Sequence, residues 1–102
     1  MSITIARYQF EGPFHSVDLL EDRAGVYAII DSRNPGNHLV DVGESATVKS
    51  RVEGHDRSGC WRRHSQGRLT AAVYYTPGVQ QAGRRVIEQE IRSSYQIPCG
   101  EH

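Results

Sequence analysis

The amino-acid sequence predicts one small mixed α/β (α+β) domain: an extra N-terminal strand, then three core strands with helices flanking them. Three observations predict it. First, GVYAIID (25–31) and HLVDV (38–42) are rich in β-branched and aromatic residues and stand either side of a Ser-Arg-Asn-Pro-Gly-Asn cluster, the pattern of an antiparallel hairpin. Second, LTAAVYYT (69–76) is another such run, stopped by Pro77-Gly78. Third, Val48, Arg51, Val52 and His55 recur at helical spacing, as do Val79, Val86, Ile87, Ile91 and Tyr95. With 102 residues there is material for a single modest core, so one domain over 1–102 is expected.

Each element follows from local chemistry. Ile3, Ile5 and Arg7 alternate with Thr4, Ala6 and Tyr8, which predicts a first strand at a sheet edge, broken at Glu11-Gly12-Pro13. Residues 16–22 are compatible with one helical turn capped by Ser16. After Gly43, Ser45 is the expected N-cap of a helix of roughly ten residues ending near Gly54-His55, which would set Arg51 and His55 one turn apart on one face. SGCWRRHSQG (58–67) reads as irregular or a short helix. The last helix is expected from about Val79 to Tyr95, with Val79, Val86, Ile87, Ile91 and Tyr95 as its apolar stripe and Pro98 as its stop.

Composition narrows the function classes. A hydrophobic content of 37% with 24% charged residues fits a globular chain rather than a disordered one. No apolar run reaches the ~20 residues a membrane helix needs. MSITIARYQFEG lacks the charged-then-apolar pattern of a secretory signal, so a cytoplasmic location is expected. Two cysteines, Cys60 and Cys99, do not make a disulfide framework. The net charge of zero argues against a strongly basic nucleic-acid clamp, yet the charge is unevenly spread. Lys49, Arg51, Arg57, Arg62, Arg63 and Arg68 face only Glu53 and Asp56 within residues 45–68. Such a segment is either a phosphate-binding surface or a solvated arginine-rich loop.

The hairpin and the segments after it resemble the GIY-YIG nuclease superfamily. Gly25-Val26-Tyr27 stands where that family has Gly-Ile-Tyr, and Asp41-Val42-Gly43 where it has Tyr-Ile-Gly. Arg51 follows Gly43 by eight residues and His55 follows four later, the family's spacing for its helix arginine and a frequent histidine. In the last helix, Glu88 with Ile91, Arg92 and Tyr95 resembles the family's metal-binding glutamate and its neighbours. The resemblance covers about residues 25–100 and implies a three-stranded antiparallel sheet flanked by helices. It departs at Asp41, which replaces the second tyrosine, and after the last helix, where the family's asparagine is missing and Gln96 is the nearest amide.

The resemblance implies an endonuclease that hydrolyses phosphodiester bonds in DNA, in preference to RNA, with one magnesium or manganese ion. Glu88 would be the metal ligand, Arg51 the phosphate holder, and Tyr27 with His55 the managers of the water's proton. Each has a plainer reading. Glu88 can pair with Arg84 or Arg92 along the helix, Arg51 can cover the sheet edge, Tyr27 can be core, and His55 can sit at a helix C-terminus. Glu90 competes with Glu88 but falls among the apolar residues, as a buried structural partner would. Asp41 is the altered site position, either a water-bridged second ligand or a cap through Glu44 or Ser45. Arg57, Arg62 and Arg63 are candidate nucleic-acid contacts, and Trp61 beside them either stacks a base or is buried. Cys60-x-x-x-His64 and Cys99-x-x-His102 raise a zinc site, disfavoured because the spacings are not those of a standard finger. The alternative function is an inactive module of the same fold that binds nucleic acid or protein, and a homodimer or partner protein is expected to supply specificity.

Overall fold

The computed structural model describes residues 2–32 and 36–100. The centre of the expected hairpin turn, residues 33–35, and His102 lie outside them. Strands β1 (Ser2–Ile5), β2 (Tyr8–Phe14), β3 (Gly25–Ser32), β4 (Asn37–Ser45) and β5 (Arg68–Tyr75) alternate with helices α1 (Val48–Glu53), α2 (Ser58–Arg63) and α3 (Gln81–Ser94) in the order β1-β2-β3-β4-α1-α2-β5-α3. The strands form one sheet, spatial order β1-β2-β5-β3-β4, with every neighbouring pair antiparallel. The α+β class is as expected, but the sheet has five strands instead of three. The N-terminal segment contributes two strands instead of one.

The missed strand is β2, and Gly12-Pro13 is the reason. Their chemistry reads as a break, whereas the strand absorbs them as an irregularity between the Glu11↔Val73 and Phe14↔Ala71 pairs, with Gly12 at φ 103°. A proline at such a bulge has no ladder hydrogen bond to lose. The 3₁₀ turn at Val17–Leu19 follows, and the Ser16 hydroxyl accepts from the Asp18 N–H at 3.3 Å, so the expected cap is present.

Strand β3 is an interior strand, paired on both sides with β4 and β5, and buried on both faces. That explains why GVYAIID reads as a continuous apolar run instead of an alternating one. Val26, Ala28 and Ile30 pack with Phe10, Val42, Ala72 and Ile91 on the α3 side. Tyr27 and Ile29 pack with Val40, Val48, Trp61, Val73 and Cys99 on the α1–α2 side. Each fully buried aliphatic of this kind stabilises the fold by about 1.5–3 kcal/mol.

Two helices differ from expectation. Strand β4 continues through Ser45, whose hydroxyl accepts from the Thr47 N–H at 2.9 Å, so α1 starts at Val48, with Thr47 at the N-cap position but making no side-chain capping bond. It ends at Gly54, which leaves His55 in the connection beyond the helix. Helix α3 is shorter than the expected Val79–Tyr95: within it Ile91 is fully buried but Val86 is 65% exposed, and Val79 and Tyr95 lie beyond its ends and face solvent. The covered face carries Arg84 and Arg92 instead, because α3 lies against strand β4, which offers Glu44 and Asp41 as partners. Glu90 fills the structural role foreseen for it, though it is half-exposed. It accepts from Arg7 Nε at 2.7 Å and from the Tyr8 hydroxyl at 2.7 Å, tying α3 to the β1–β2 hairpin. Cys60 and Cys99 are bonded to each other, Cα atoms 6.0 Å apart, which staples α2 to the segment after α3.

Candidate active site

Tyr27 sits on β3 directly opposite Gly43 on β4. Its ring crosses the Gly43 backbone so closely that a Cβ there would overlap the hydroxyl. Close approach, and not a special φ, is what requires glycine at this position. The Tyr27 hydroxyl lies 2.6 Å from His55 Nε2. The Arg57 backbone N–H donates to His55 Nδ1 at 3.0 Å. With Nδ1 an acceptor, the proton of the neutral imidazole resides on Nε2 and is donated to the Tyr27 oxygen. The indole of Trp61 packs against the imidazole, ring centres 4.7 Å apart.

Both groups are held neutral. Burial, then the positive charges of Arg57 and Arg51, push His55 down to about 4. Burial pushes Tyr27 up to about 12, against the opposing pull of Arg57 and Arg51. Loss of solvation is therefore the leading cause for both residues.

Asp41 is fully buried beneath this pair. Its Oδ2 accepts from Arg57 Nε at 2.8 Å and from Trp61 Nε1 at 2.7 Å. Its Oδ1 accepts from Arg92 Nη2 at 2.9 Å and from the Val42 N–H at 2.8 Å. Four good donors occupy the acceptor sites of one carboxylate. Asp41 thus neither caps α1 through Glu44 or Ser45 nor offers an oxygen toward a metal; it anchors two arginines. Arg92 in turn donates to the Cys99 carbonyl at 3.0 Å and to the Val42 carbonyl, and its Nε reaches Glu88 Oε2 at 3.2 Å.

Above this floor opens a cleft of about 630 Å³. Tyr27, Arg51 and Glu88 line it, with Gly43, Glu44, Asp56, Arg57, Arg85, Gln89, Arg92 and Gly100. Three of the four residues expected to be catalytic from the sequence therefore share one cleft, and His55 stands behind Tyr27. Arg51 is exposed, reaches Asp56 at 3.8 Å and hydrogen-bonds the Tyr27 side chain, so its guanidinium stands at the cleft beside the tyrosine. Of the residues expected to touch nucleic acid, Arg57 lines the cleft, whereas Arg62 and Arg63 are exposed on α2 outside it. Trp61 is buried and engaged with Asp41, which removes it as a stacking platform. Gln96 is exposed and lies outside the cleft lining.

The donor set fits a hard divalent cation in one way. Magnesium commonly keeps several waters and takes only one or two carboxylates plus substrate phosphate. Glu88 offers a carboxylate to the cleft opposite Tyr27 and Arg51, which meets that need, with Arg92 as its neighbour. What sequence reasoning missed is the Asp41–Arg92–Arg57 assembly. The only local signal was Arg92 four residues after Glu88, and nothing local connects it to a carboxylate 51 positions earlier.

No protein-family model matches this chain, and no significant match exists among curated proteins or solved structures.

Proposed function

We propose that the cleft is the active site of a metal-dependent nuclease of the GIY-YIG type, hydrolysing phosphodiester bonds in DNA or RNA. The observation that carries the reading is the meeting of Tyr27, Arg51 and Glu88, from β3, α1 and α3, around one polar cleft, with His55 hydrogen-bonded to the tyrosine. Arg51 holds a phosphate oxygen, since a guanidinium presents a planar fork of donors to it. Glu88 would hold magnesium or manganese, which when bound lowers the pKa of a coordinated water and neutralises charge on the phosphate. Tyr27, neutral at pH 7, orients the attacking water through its oxygen. His55 Nε2–H steadies that oxygen and stabilises any phenolate that forms. Arg57 and Arg92, half neutralised by Asp41, give the cleft a positive floor without leaving a bare buried charge.

Nicking of supercoiled plasmid with magnesium or manganese tests this. Wild-type protein is expected to nick, and Glu88→Gln to lose at least ~100-fold in rate, as for removal of a group that acts on the transition state. Absence of metal-dependent cleavage on duplex, branched and single-stranded substrates would rule catalysis out. The contact of Arg92 with Glu88 favours a second reading, a module that binds phosphate without cutting. Salt-sensitive binding by wild type and Glu88→Gln alike, with no cleavage, would select it.

A further inference from the structure

We propose that Cys60, His64 and Cys99 form a zinc-binding site whenever the Cys60–Cys99 bond is reduced, so that this corner of the protein exchanges a disulfide for a metal. Among the described residues these three form the group whose ligand atoms all lie within 4.8 Å of one another. Zinc held tetrahedrally by two thiolates and an imidazole keeps its ligand atoms roughly 3.5–4 Å apart, within reach of side-chain rotation from that arrangement.

The backbone holds the ligands together independently of the sulfur–sulfur bond. Cys60 and His64 are one turn apart at the end of α2, and the His64 N–H donates to the Cys60 carbonyl at 3.1 Å. Cys99 is fully buried and fixed at both of its peptide groups. Its N–H donates to the Val40 carbonyl at 3.1 Å, and its carbonyl accepts from Arg92 Nη1 at 3.0 Å. His64 is exposed, which gives a metal an entry path and leaves the fourth position to water.

The exchange balances. A dithiol reductant supplies two electrons and two protons, closing its own disulfide as the Cys60 Sγ–Cys99 Sγ bond breaks to two thiols. Zinc then displaces the two thiol protons and takes the His64 nitrogen. A disulfide oxidant reverses the sequence, accepting the electrons and expelling the metal. Trp61, next to Cys60, donates to Asp41, and Gly100, next to Cys99, lines the cleft, so the exchange takes place against the back wall of the candidate active site.

The test titrates zinc alone into the full chain, reduced with a phosphine or left oxidised, against a chromogenic chelator, with cobalt(II) as a spectroscopic probe. Against the chelator, the reduced protein is expected to hold one equivalent more than the oxidised protein and to show a thiolate-to-cobalt charge-transfer band that the oxidised protein lacks. His64→Ala, at an exposed position that the core does not need, is expected to weaken uptake more than ~10-fold. Glu88→Gln leaves the thiolate-to-cobalt band unchanged. Equal uptake by both redox forms, loss of the thiolate-to-cobalt band in Glu88→Gln, indifference to His64→Ala, or unfolding of the chain on reduction would each overturn the proposal.

Discussion

The floor and the rim of the cleft are both built from arginines and carboxylates, yet they are opposite in construction. On the floor, the Arg92 side chain is 2% exposed and Asp41 0%, and their groups meet at 2.9 Å. On the rim, Arg51 and Asp56 side chains are 42% and 79% exposed and stand 3.8 Å apart. A buried pair is held in one geometry and is costly to break from one side, because the partner is left as an uncompensated charge. An exposed pair contributes between about 0 and 1 kcal/mol and lets go easily. The floor is therefore a fixed electrostatic support, and the rim is where a charged substrate can compete for a guanidinium.

The largest effect should come from breaking the floor. Asp41→Asn or Asp41→Ala leaves Arg92 buried without its carboxylate and is expected to cost about 3–5 kcal/mol, measured by urea unfolding. Asp41→Tyr, which restores the residue type of the resembled motif, should be equally damaging, because a phenol cannot accept from two guanidinium groups. A variant at Asp41 that loses less than about 1 kcal/mol would show that the floor is not a support.

Acid should come next. His55 is driven down to about 4 in the folded chain, from about 6.5 when unfolded. Between those values the unfolded chain binds the proton that the folded one refuses, so stability rises with pH across the interval. Its contribution is fully present above about pH 6.5 and is lost as pH falls through about 4, at most about 3 kcal/mol in all. Asp56 Oδ1, 3.2 Å from His55 Nδ1, would accept a hydrogen bond from the protonated imidazole and reduce the loss. His55→Gln should flatten the pH dependence of urea unfolding over about pH 4–6.5; an unchanged slope would mean that other groups cause it. For the same reason any cleavage activity should show no inflection near 6.5, and should climb with pH as the Tyr27 phenol, pushed to about 12, begins to ionise.

Gly43→Ala is a smaller disturbance at the junction of floor and rim. The added methyl meets Tyr27 at its hydroxyl and ring, so the tyrosine side chain must shift. Overpacking of that kind costs about 1–3 kcal/mol, and here it must also lengthen the Tyr27–His55 hydrogen bond. A shift of the His55 imidazole resonances in the NMR spectrum of the variant checks the second point.

The same contrast decides what was legible in the sequence. Strands β3, β4 and β5 announced themselves because their burial is carried by apolar residues in runs between turn formers. Tyr27, Arg51 and Glu88 were singled out by the spacing of a resemblance, and what the fold adds is that the three line one cleft. The floor was hidden because its parts are 51 positions apart in sequence and are charged. Arg84 and Arg92 belong to a residue type seldom buried, so a helical wheel assigns that face to Val86 and Tyr95, which in fact face solvent. The Cys60–Cys99 bond spans 39 residues and rests on tertiary contact alone. Strand β2 was lost to a local rule about Gly-Pro that a bulge overrides.

The rim gives the smallest stability effect and the sharpest separation of roles. Arg51→Ala removes an exposed side chain with a loose ion pair and one hydrogen bond to Tyr27, and should change unfolding by no more than about 1 kcal/mol. On nucleic acid the same change should weaken binding across all sequences and lower the dependence of log K on log salt by about one unit, as expected when one fewer phosphate is neutralised. Arg62→Ala, outside the cleft, should leave that slope unaltered. If Arg62→Ala and Arg51→Ala lower the slope equally, the phosphate path runs along α2 and the cleft is only one end of a broader basic surface. If neither lowers it, the openness of the rim serves some other anion, and the comparison with the floor holds for stability alone.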